Sequence, residues 1–184
     1  VNADGTIRPD SSPEKLATMN PAFDAKGTVT AATSSPLTDG SAAVIVASEA
    51  YADKHGLPKL ARIKSVSVAG CAAEIMGIGP VPAVHKALER AGLKVGDIDI
   101  WELNEAFAAQ VLACTKALEF SEDDMERLNV NGSGISLGHP VGATGAIITV
   151  KALYELERIG GKRALITMCI GGGQGIALAI ERMS

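Results

Sequence analysis

The chain of 184 residues has very few aromatic side chains, since three Phe, two Tyr and one Trp make up only 3% of the sequence. Hydrophobic residues nevertheless account for 47%. The core must therefore be built mainly from Ala, Val, Ile and Leu, and side chains of this size allow helices to pack closely on a sheet. The length is sufficient for a full hydrophobic core in one domain or slightly more.

Cysteines and basic segments are also scarce. Cys71, Cys114 and Cys169 are an odd number without a Cys-x-x-Cys pair, which favours neither a disulfide framework nor a zinc site. We expect no metal and a reducing compartment, the cytoplasm, or a mitochondrion or peroxisome in a eukaryote. With 17 basic and 21 acidic residues the net charge is −4, and no long basic run occurs, so we expect no nucleic-acid partner.

No apolar run is continuous enough to predict a membrane span. The most apolar tract, residues 164–180, is interrupted by Gly171, Gly172, Gly173 and Gln174. It therefore predicts two buried strands joined by a turn, and no membrane partner is expected. Because the sequence begins at Val1 rather than at Met, we expect it to be a piece of a longer protein.

Strands and helices are predicted to alternate along the chain. Residues 28–30 predict a strand, and residues 41–55 predict a buried helix that ends at Gly56. The later predictions are strands at 60–68, 97–103, 163–169 and 175–181 and helices at 81–91, 105–118 and 142–159. This order predicts an α/β layered fold with a mixed β-sheet covered by helices.

A glycine-rich segment, residues 129–145, surrounds a single histidine, His139. It contains five glycines, and such a density indicates tight turns or a close approach of the backbone to a ligand. Pro140 fixes the backbone on one side of the histidine. By itself the segment allows two interpretations: a turn with a hydrogen-bonded, half-buried His139, or a catalytic imidazole that titrates near neutral pH.

Two further motifs follow predicted strands, at the position where open α/β sheets bind ligands. They are Asn-Glu-Ala-Phe at residues 104–107 and Cys-Ile-Gly-Gly-Gly-Gln-Gly at residues 169–175. Cys169 and His139 are suited to acid–base chemistry, and the glycines would present N–H groups to an oxyanion. Taken singly, Cys169 is more ordinarily an inert buried thiol and Asn104 a helix N-cap.

The remaining candidate residues carry no motif of their own. The glycines after Cys169 are not followed by Gly-Lys-Ser/Thr, so no P-loop is predicted. Core positions are expected for Trp101 and Phe107. Structural or surface positions are expected for Cys71, Cys114, His55 and His85.

Together the three motifs closely resemble the C-terminal half of the thiolases. The similarity is carried by residues 104–110, 129–145 and 169–175, and it extends to residues 28–31, 37–43 and 75–83. Thiolases transfer an acyl group between coenzyme A and an acetyl-CoA carbanion equivalent. The resemblance therefore implies an acyltransferase with acetyl-CoA and 3-ketoacyl-CoA as substrates and no tightly bound cofactor.

The same resemblance implies a role for each motif residue. His139 would activate a nucleophilic cysteine and, with a water held by Asn104, stabilise the thioester oxyanion. Cys169 would move the proton at the α-carbon, and the N–H of Gly171 would contribute to a second oxyanion hole. This division is chemically reasonable, because forming a C–C bond next to a thioester needs two oxyanion sites and a base near the α-carbon.

Coenzyme A contacts are also implied, with some departures from the family pattern. Ser35 matches the serine that contacts the pantetheine arm, and Met76 matches a residue near the acyl pocket. The family usually has Gly-Asn where this chain has Ala32-Thr33, and Asp-Pro where it has Ala72-Ala73. These changes affect the expected coenzyme A contacts and leave His139, Cys169 and Asn104 intact.

The nucleophilic cysteine of the family lies in its N-terminal half, ahead of Ser-Gly, and this chain has no such context. Cys71 is followed by two alanines and is not assigned that role. The resemblance implies that residues 1–27 are the tail of a loop region, 28–56 the last strand–helix of the N-terminal core domain and 57–184 the C-terminal domain. We expect the isolated chain to be inactive, its N-terminal half to be a partner, and the whole to be a homo-oligomer.

Two alternatives accompany this interpretation. In the first alternative, the chain is a non-catalytic thiolase-like domain that binds a partner polypeptide. A ketoacyl synthase is the other member of the superfamily to consider. Those enzymes generally combine their nucleophile with two histidines, or with His and Asn, whereas Cys169 stands where the second base would be.

Overall fold

Four strands form one mixed sheet in the computed structural model, which describes residues 2–3, 5 and 7–183. The strands are β1 (Ala61–Gly70), β2 (Ile100–Leu103), β3 (Arg163–Gly171) and β4 (Gln174–Arg182). Their order in the sheet is β1-β4-β3-β2. β4 is antiparallel to β1 and β3, whereas β2 is parallel to β3. The predicted α/β fold with a mixed sheet is confirmed.

Helices connect and cover these strands. The α-helices are α1 (Pro13–Ala17), α2 (Glu49–His55), α3 (Pro80–Ala91), α4 (Ala108–Ala117), α5 (Glu122–Glu126), α6 (Gly134–Leu137) and α7 (Thr144–Ile159). Short 3₁₀ helices occur at Ala31–Thr33, Ala73–Ile78 and Val95–Asp97. Among the described residues, no helix has both the length and the apolar character needed to cross a bilayer.

The long helices begin and end at local sequence signals. Pro80 occupies the first turn of α3, where its missing N–H costs no helical hydrogen bond. Gly56, Gly92 and Gly160 follow α2, α3 and α7 with φ values of 62°, 66° and 68°. Such left-handed conformations are accessible to glycine without strain, so each of these helices ends there.

The sheet has a hydrophobic core on each face, because successive side chains of a strand point in opposite directions. On one face, Leu165 of β3 packs with Trp101 of β2 and with Val84 of α3. On the other face, Ile166 of β3 packs with Ile148 and Leu156 of α7. The sheet is therefore the central layer between α3 and α7.

Small residues bring α3 very close to the sheet. Ser65 and Ser67 of β1 donate their hydroxyl protons to the carbonyls of Ala87 and Ala83, with O···O distances of 2.7 and 2.5 Å. A Cβ atom on Gly175, at the start of β4, would lie only 2.1 Å from the carbonyl carbon of Gly79. The close helix–sheet packing expected from the composition is therefore present.

Two secondary-structure predictions for the first part of the chain are wrong. Residues 28–30 do not form a strand, and the Val29 carbonyl accepts a hydrogen bond from the N–H of Ala22 at 2.8 Å. The helix predicted from residue 41 begins only at Glu49, after residues 41–48 that have no regular structure. The run includes Ile45 and Val46, which are 87% and 73% exposed, so no packing offsets the low helix propensity of β-branched residues. The domain division at residues 27/28 and 56/57 stays a prediction.

Candidate active site

Two of the three motifs meet at one edge of the sheet. β2 ends there, with Leu103 paired to Thr167, and the parallel strand β3 continues to Gly171. The N–H of Asn104 donates to the Thr167 carbonyl at 3.0 Å. Asn104 therefore lies directly beside the strand that carries Cys169 two residues further on.

His139 brings the third motif to Asn104. The Nδ2 atom of Asn104 lies 3.4 Å from Nε2 of His139. Asn104 is fully buried, whereas the imidazole of His139 is half-buried. The pair can therefore present one amide group and one imidazole nitrogen to a ligand at the sheet edge.

Thr144 fixes the protonation of the imidazole. Its hydroxyl donates to the Pro140 carbonyl at 3.0 Å and lies 2.7 Å from Nδ1 of His139. A hydroxyl has a single proton, and the Nδ2 group of Asn104 beside Nε2 can only donate, so in this arrangement Nδ1 is the donor and Thr144 the acceptor. Nε2, the basic nitrogen, then accepts a hydrogen bond from Nδ2 of Asn104.

The buried position of the imidazole supports this basic form. Desolvation lowers the pKa of His139 below its ordinary value, so the ring is neutral at pH 7. The neutral ring with a proton on Nδ1 is the form that a general base requires. The interpretation of His139 as a hydrogen-bonded turn residue accounts for the bond between Nδ1 and Thr144. It does not account for the role of Nε2.

Asn104 is not a helix N-cap, contrary to the ordinary interpretation of its position. α4 begins at Ala108, and Phe107 occupies the N-cap position. The Oδ1 atom of Asn104 has no hydrogen-bond partner among the described residues. A cavity of about 20 Å³, enough for one water molecule, is lined by Asn104, Ser133, Gly134, Leu137, Gly138, Thr144, Ile147, Ile148 and Lys151.

The glycine-rich segment is tied to β2 by two polar side chains to which the sequence analysis gave no role. The Asn129 amide bonds to both the N–H and the carbonyl of Leu103, at 2.9 and 2.8 Å. The Glu105 carboxylate accepts hydrogen bonds from Nδ2 of Asn129 and from the N–H of Ile135, each at 3.2 Å. Both residues lie within the quoted motifs, but only the structure reveals their partners.

Cys169 is a buried thiol, 7% exposed. Burial raises the pKa of Cys169, the neighbouring Cys71 thiol raises it further, and a backbone hydrogen bond opposes the shift. Cys169 is therefore protonated at neutral pH and has a proton to donate. The same burial is compatible with an inert thiol, so its catalytic role stays a prediction.

Gly171 differs from Cys169 in being exposed. Its φ is 82°, and no heavy atom lies within 4 Å of the place where a Cβ would be. Gly172 and Gly173 also have positive φ values, 61° and 80°. Gly173 accepts a hydrogen bond from the N–H of Cys71 at 2.7 Å, which anchors the turn and leaves open space beside Gly171.

The segment that contains Ser35 contacts two of the three motifs. The N–H of Ser35 donates to the Ala106 carbonyl at 3.0 Å. The N–H of His139 donates to Oγ1 of Thr38 at 3.2 Å. Ser35 is half-buried and bonds to the motif that contains Asn104, but its contact with coenzyme A stays a prediction.

Met76 is half-buried in the 3₁₀ helix Ala73–Ile78. This helix packs on α4, where the thiol of Cys114 contacts the Gly77 carbonyl at 3.4 Å. The helix also contacts β3, which carries Cys169. The position of Met76 near an acyl group stays a prediction.

The remaining candidates have the expected positions except Phe107, which was expected in the core but is half-buried and packs edge-on against the exposed Phe23. Trp101 is fully buried and packs against Phe120, with ring centroids 4.7 Å apart. Cys114 is buried, and desolvation raises its pKa to about 11. His55 and His85 are exposed. Within the described residues, no group of three or more His, Cys, Asp or Glu residues could hold a metal ion.

Comparison with known proteins covers almost the whole chain. The family model "Thiolase, C-terminal domain" matches residues 57–182, and "Thiolase, N-terminal domain" matches residues 1–50. Beta-ketothiolase BktB of Cupriavidus necator is 54% identical over 183 residues, 99% of this chain and 46% of that protein. Beta-ketoadipyl-CoA thiolase of Pseudomonas knackmussii is 51% identical and covers 100% of this chain and 45% of its own length.

Solved structures agree with this pattern. The Bacillus anthracis acetyl-CoA acetyltransferase has a TM-score of 0.91 and 50% identity, covering 96% of this chain and 44% of that one. Human mitochondrial 3-ketoacyl-CoA thiolase in complex with CoA has a TM-score of 0.88 and 44% identity, with the same coverage. The chain thus spans about half the length of the relatives that it matches.

Proposed function

Because the chain belongs to the thiolase family, we propose that it supplies the acid–base part of an active site that transfers acyl groups between coenzyme A thioesters. The observation that carries the proposal is the imidazole of His139, with Nδ1 bonded to Thr144 and Nε2 facing Asn104. The nucleophilic cysteine would come from an N-terminal half. Acetyl-CoA and 3-ketoacyl-CoA are the proposed substrates.

In the proposed first step, Nε2 of His139 takes the proton of the nucleophilic thiol. The thiolate attacks the thioester carbonyl, and the imidazolium and a water held by Asn104 stabilise the oxyanion. Collapse of this intermediate expels the thiolate of the leaving group and forms an acyl-enzyme. The fixed Nδ1 proton keeps the imidazole oriented throughout.

In the second half-reaction, Cys169 exchanges a proton with the α-carbon of the second acyl group. The N–H of Gly171 stabilises the enolate oxygen, and the exposed position of this glycine supports that role. In the direction of thiolysis the Cys169 thiol donates its proton to the departing carbanion equivalent. The raised pKa of Cys169 fits this donor role, because it keeps the thiol protonated before the step.

Coenzyme A would be held as a substrate, without a tightly bound cofactor. Ser35 would contact the pantetheine arm, and Met76 would lie near the acyl group. We further propose a homo-oligomeric enzyme in the cytoplasm, or in a mitochondrion or peroxisome in a eukaryote. The exposed aliphatic residues around His139, Leu37 and Val141 among them, support a partner surface there.

A chimera tests the catalytic proposal. The part of the C. necator relative that precedes its match to this chain is joined to residues 1–184, and thiolysis of acetoacetyl-CoA is measured. We expect turnover by the chimera and none by the isolated chain. The isolated chain has no counterpart of the nucleophilic cysteine on which the acyl-enzyme forms. His139→Ala or Cys169→Ala should each lower kcat of the chimera by roughly 10²- to 10⁴-fold.

Cys114→Ala is the matched control, because Cys114 is also a buried thiol but has no proposed catalytic role. A folded chimera with no thiolysis activity would contradict the proposal, as would turnover by the isolated chain free of host enzymes. In the alternative function, a non-catalytic domain that binds a partner polypeptide, the folded chimera stays inactive and the chain co-elutes with a partner in size-exclusion chromatography.

A further inference from the structure

A row of charged residues on α7 faces the glycine-rich segment. Lys151, Glu155 and Arg158 are spaced by four and three residues, so they share one side of the helix. The same side carries Thr144, which contacts His139. One face of this helix therefore reaches both the imidazole and the segment that precedes it.

Lys151 makes the central contacts of this row. Its Nζ donates to Oε2 of Glu102 at 3.0 Å and also to the carbonyl of Gly132. The Glu102 side chain is fully buried, and that of Lys151 is 16% exposed. The ammonium group thus connects strand β2, two residues before Asn104, to the glycine-rich segment that leads to His139.

Glu155 makes a second connection at the adjacent residue of the segment. Its Oε2 accepts a hydrogen bond from Nδ2 of Asn131 at 2.9 Å. Arg158 holds the same carboxylate, with its Nε at 2.8 Å. Residues 131 and 132 are therefore both fixed to α7.

Stability alone does not explain a buried Lys–Glu pair. Desolvation raises the pKa of Glu102 to about 7 despite the attraction of Lys151, and the carboxylates of Glu105 and Glu155 raise it further. Its Oε1 has no hydrogen-bond partner within the described part of the chain. Apolar residues of similar volume are often as stabilising as such a pair, so the stability of the fold does not account for it.

We propose that Lys151 is a positioning residue, whose contacts with Glu102 and Gly132 set the distance between β2 and the glycine-rich segment so that Asn104 meets His139. Asn104 and Lys151 also line the same small cavity, so the two side chains border one space. This inference rests on the proposed function, in which the meeting of Asn104 and His139 forms an oxyanion site.

The test uses the 184-residue chain and needs no catalysis, so its outcome is independent of the chimera assay. NMR measures the pKa of His139 and the amide exchange of residues 132–139 in the wild type and in Lys151→Met/Glu102→Leu. We expect the double variant to melt at the wild-type temperature or above. Its amides in this range should exchange at least about tenfold faster, and the pKa of His139 should rise toward the ordinary histidine value.

Lys64→Met is the matched control, since Lys64 pairs with Glu181 on the sheet at a distance of 3.6 Å and has no contact with the segment. The single variant Lys151→Arg should keep the slow amide exchange of the wild type, because it keeps a cation at this position. If the double variant does not fold, Lys151→Gln is measured by the same two readouts. A His139 pKa and exchange rates equal to those of Lys64→Met would overturn the inference and leave Lys151 a structural residue.

Discussion

His139 acquires its basic form from one hydroxyl group. The Thr144 proton is engaged by the Pro140 carbonyl, so the oxygen can only accept from Nδ1. A residue without this oxygen would leave both ring nitrogens free to carry the proton, and the ring would also lose its orientation. The side chain that orients the imidazole is thus five residues away from it in the sequence.

Thr144→Val is therefore expected to lower kcat of the chimera by roughly 10²-fold, the cost of a misoriented catalytic group. The ¹⁵N shifts of His139 should show a mixture of tautomers in place of the Nδ1-protonated form. Thr149→Val is the matched control, because Thr149 makes the same type of bond to the carbonyl four residues earlier, Gly145, and does not contact the imidazole. Equal kcat values for the two variants would refute the role of Thr144.

The glycine-rich segment depends on close contact with β2 at one glycine in particular. A Cβ on Gly134 would lie 2.7 Å from the Glu105 carbonyl oxygen and 2.8 Å from Oδ1 of Asn104. Gly142 belongs to the same segment, but its Cβ would meet no heavy atom within 4 Å. Both glycines have a φ outside the left-handed region, so contact alone distinguishes them.

We expect Gly134→Ala to lower the free energy of unfolding by about 1–3 kcal/mol, because the backbone of 104–105 must move. Gly142→Ala should leave stability unchanged or raise it slightly, since alanine restricts the unfolded chain. Urea denaturation of both variants provides the comparison. A Gly134→Ala variant as stable as Gly142→Ala would show that the segment is not packed as described.

Helix α7 has an acid-sensitive contact in Glu155. Hydrogen bonds from Arg158 and then Asn131 lower the pKa of this carboxyl group to about 2. Since the folded-state pKa lies below the unfolded value, the contact stabilises the fold fully above about pH 4.5. That stabilisation is lost as the pH falls toward 2.

Glu155→Gln should therefore lower the free energy of unfolding by about 1–2 kcal/mol at pH 7 and by much less at pH 2.5. Glu157→Gln, an exposed carboxyl group on the same helix, is the control and should change little at either pH. Denaturant midpoints at the two pH values measure the difference. A loss of unfolding free energy of the same size at both pH values would mean that the ionised form of Glu155 does not stabilise the fold.

The sequence predicted the sheet edge better than it predicted the first 56 residues. The strand pair 163–169 and 175–181 and the helix 142–159 agree closely with β3, β4 and α7, because their apolar patterns match a core that this chain contains. Residues 41–48 were assigned wrongly. A short β-branched apolar run does not distinguish a helix from a strand, and here it finds neither a sheet nor a core to join.

The candidate site was predictable to a similar degree. Asn104 was found because its motif follows a strand that ends at this edge of the sheet, and His139 because five glycines surround it. The partners Thr144, Glu105 and Lys151 were not assigned, since the direction of a side chain and its hydrogen-bond partner depend on how distant elements pack. A sequence pattern of polar residues contains no such distances.

The whole molecule leaves many large aliphatic side chains exposed in its first part and around Pro140. Leu37, Ile45, Val46 and Val141 are between 73% and 99% exposed. Exposed aliphatic patches commonly mark association surfaces. Residues 44–46 also combine high β-propensity with an absence of charge.

The isolated chain should therefore associate as its concentration rises, and Ile45→Lys should reduce this association. Tyr154→Lys is the control, because Tyr154 is 65% exposed on α7 and lies outside this patch. Light scattering across a concentration series measures both variants. A monomeric wild type at all concentrations would show that the patch is not adhesive.

β4 lies between β1 and β3, although its residues, 174–182, follow those of every other strand in the sequence. β3 precedes β4 by a short turn and also pairs with β2, whereas β1 ends at Gly70 and has β4 as its neighbour in the sheet. Pairing between segments as far apart in sequence as β1 and β4 makes folding slow. During synthesis on the ribosome β1 is consequently the last strand to join the sheet, and a newly made chain exposes it to chaperones and proteases until β4 has formed.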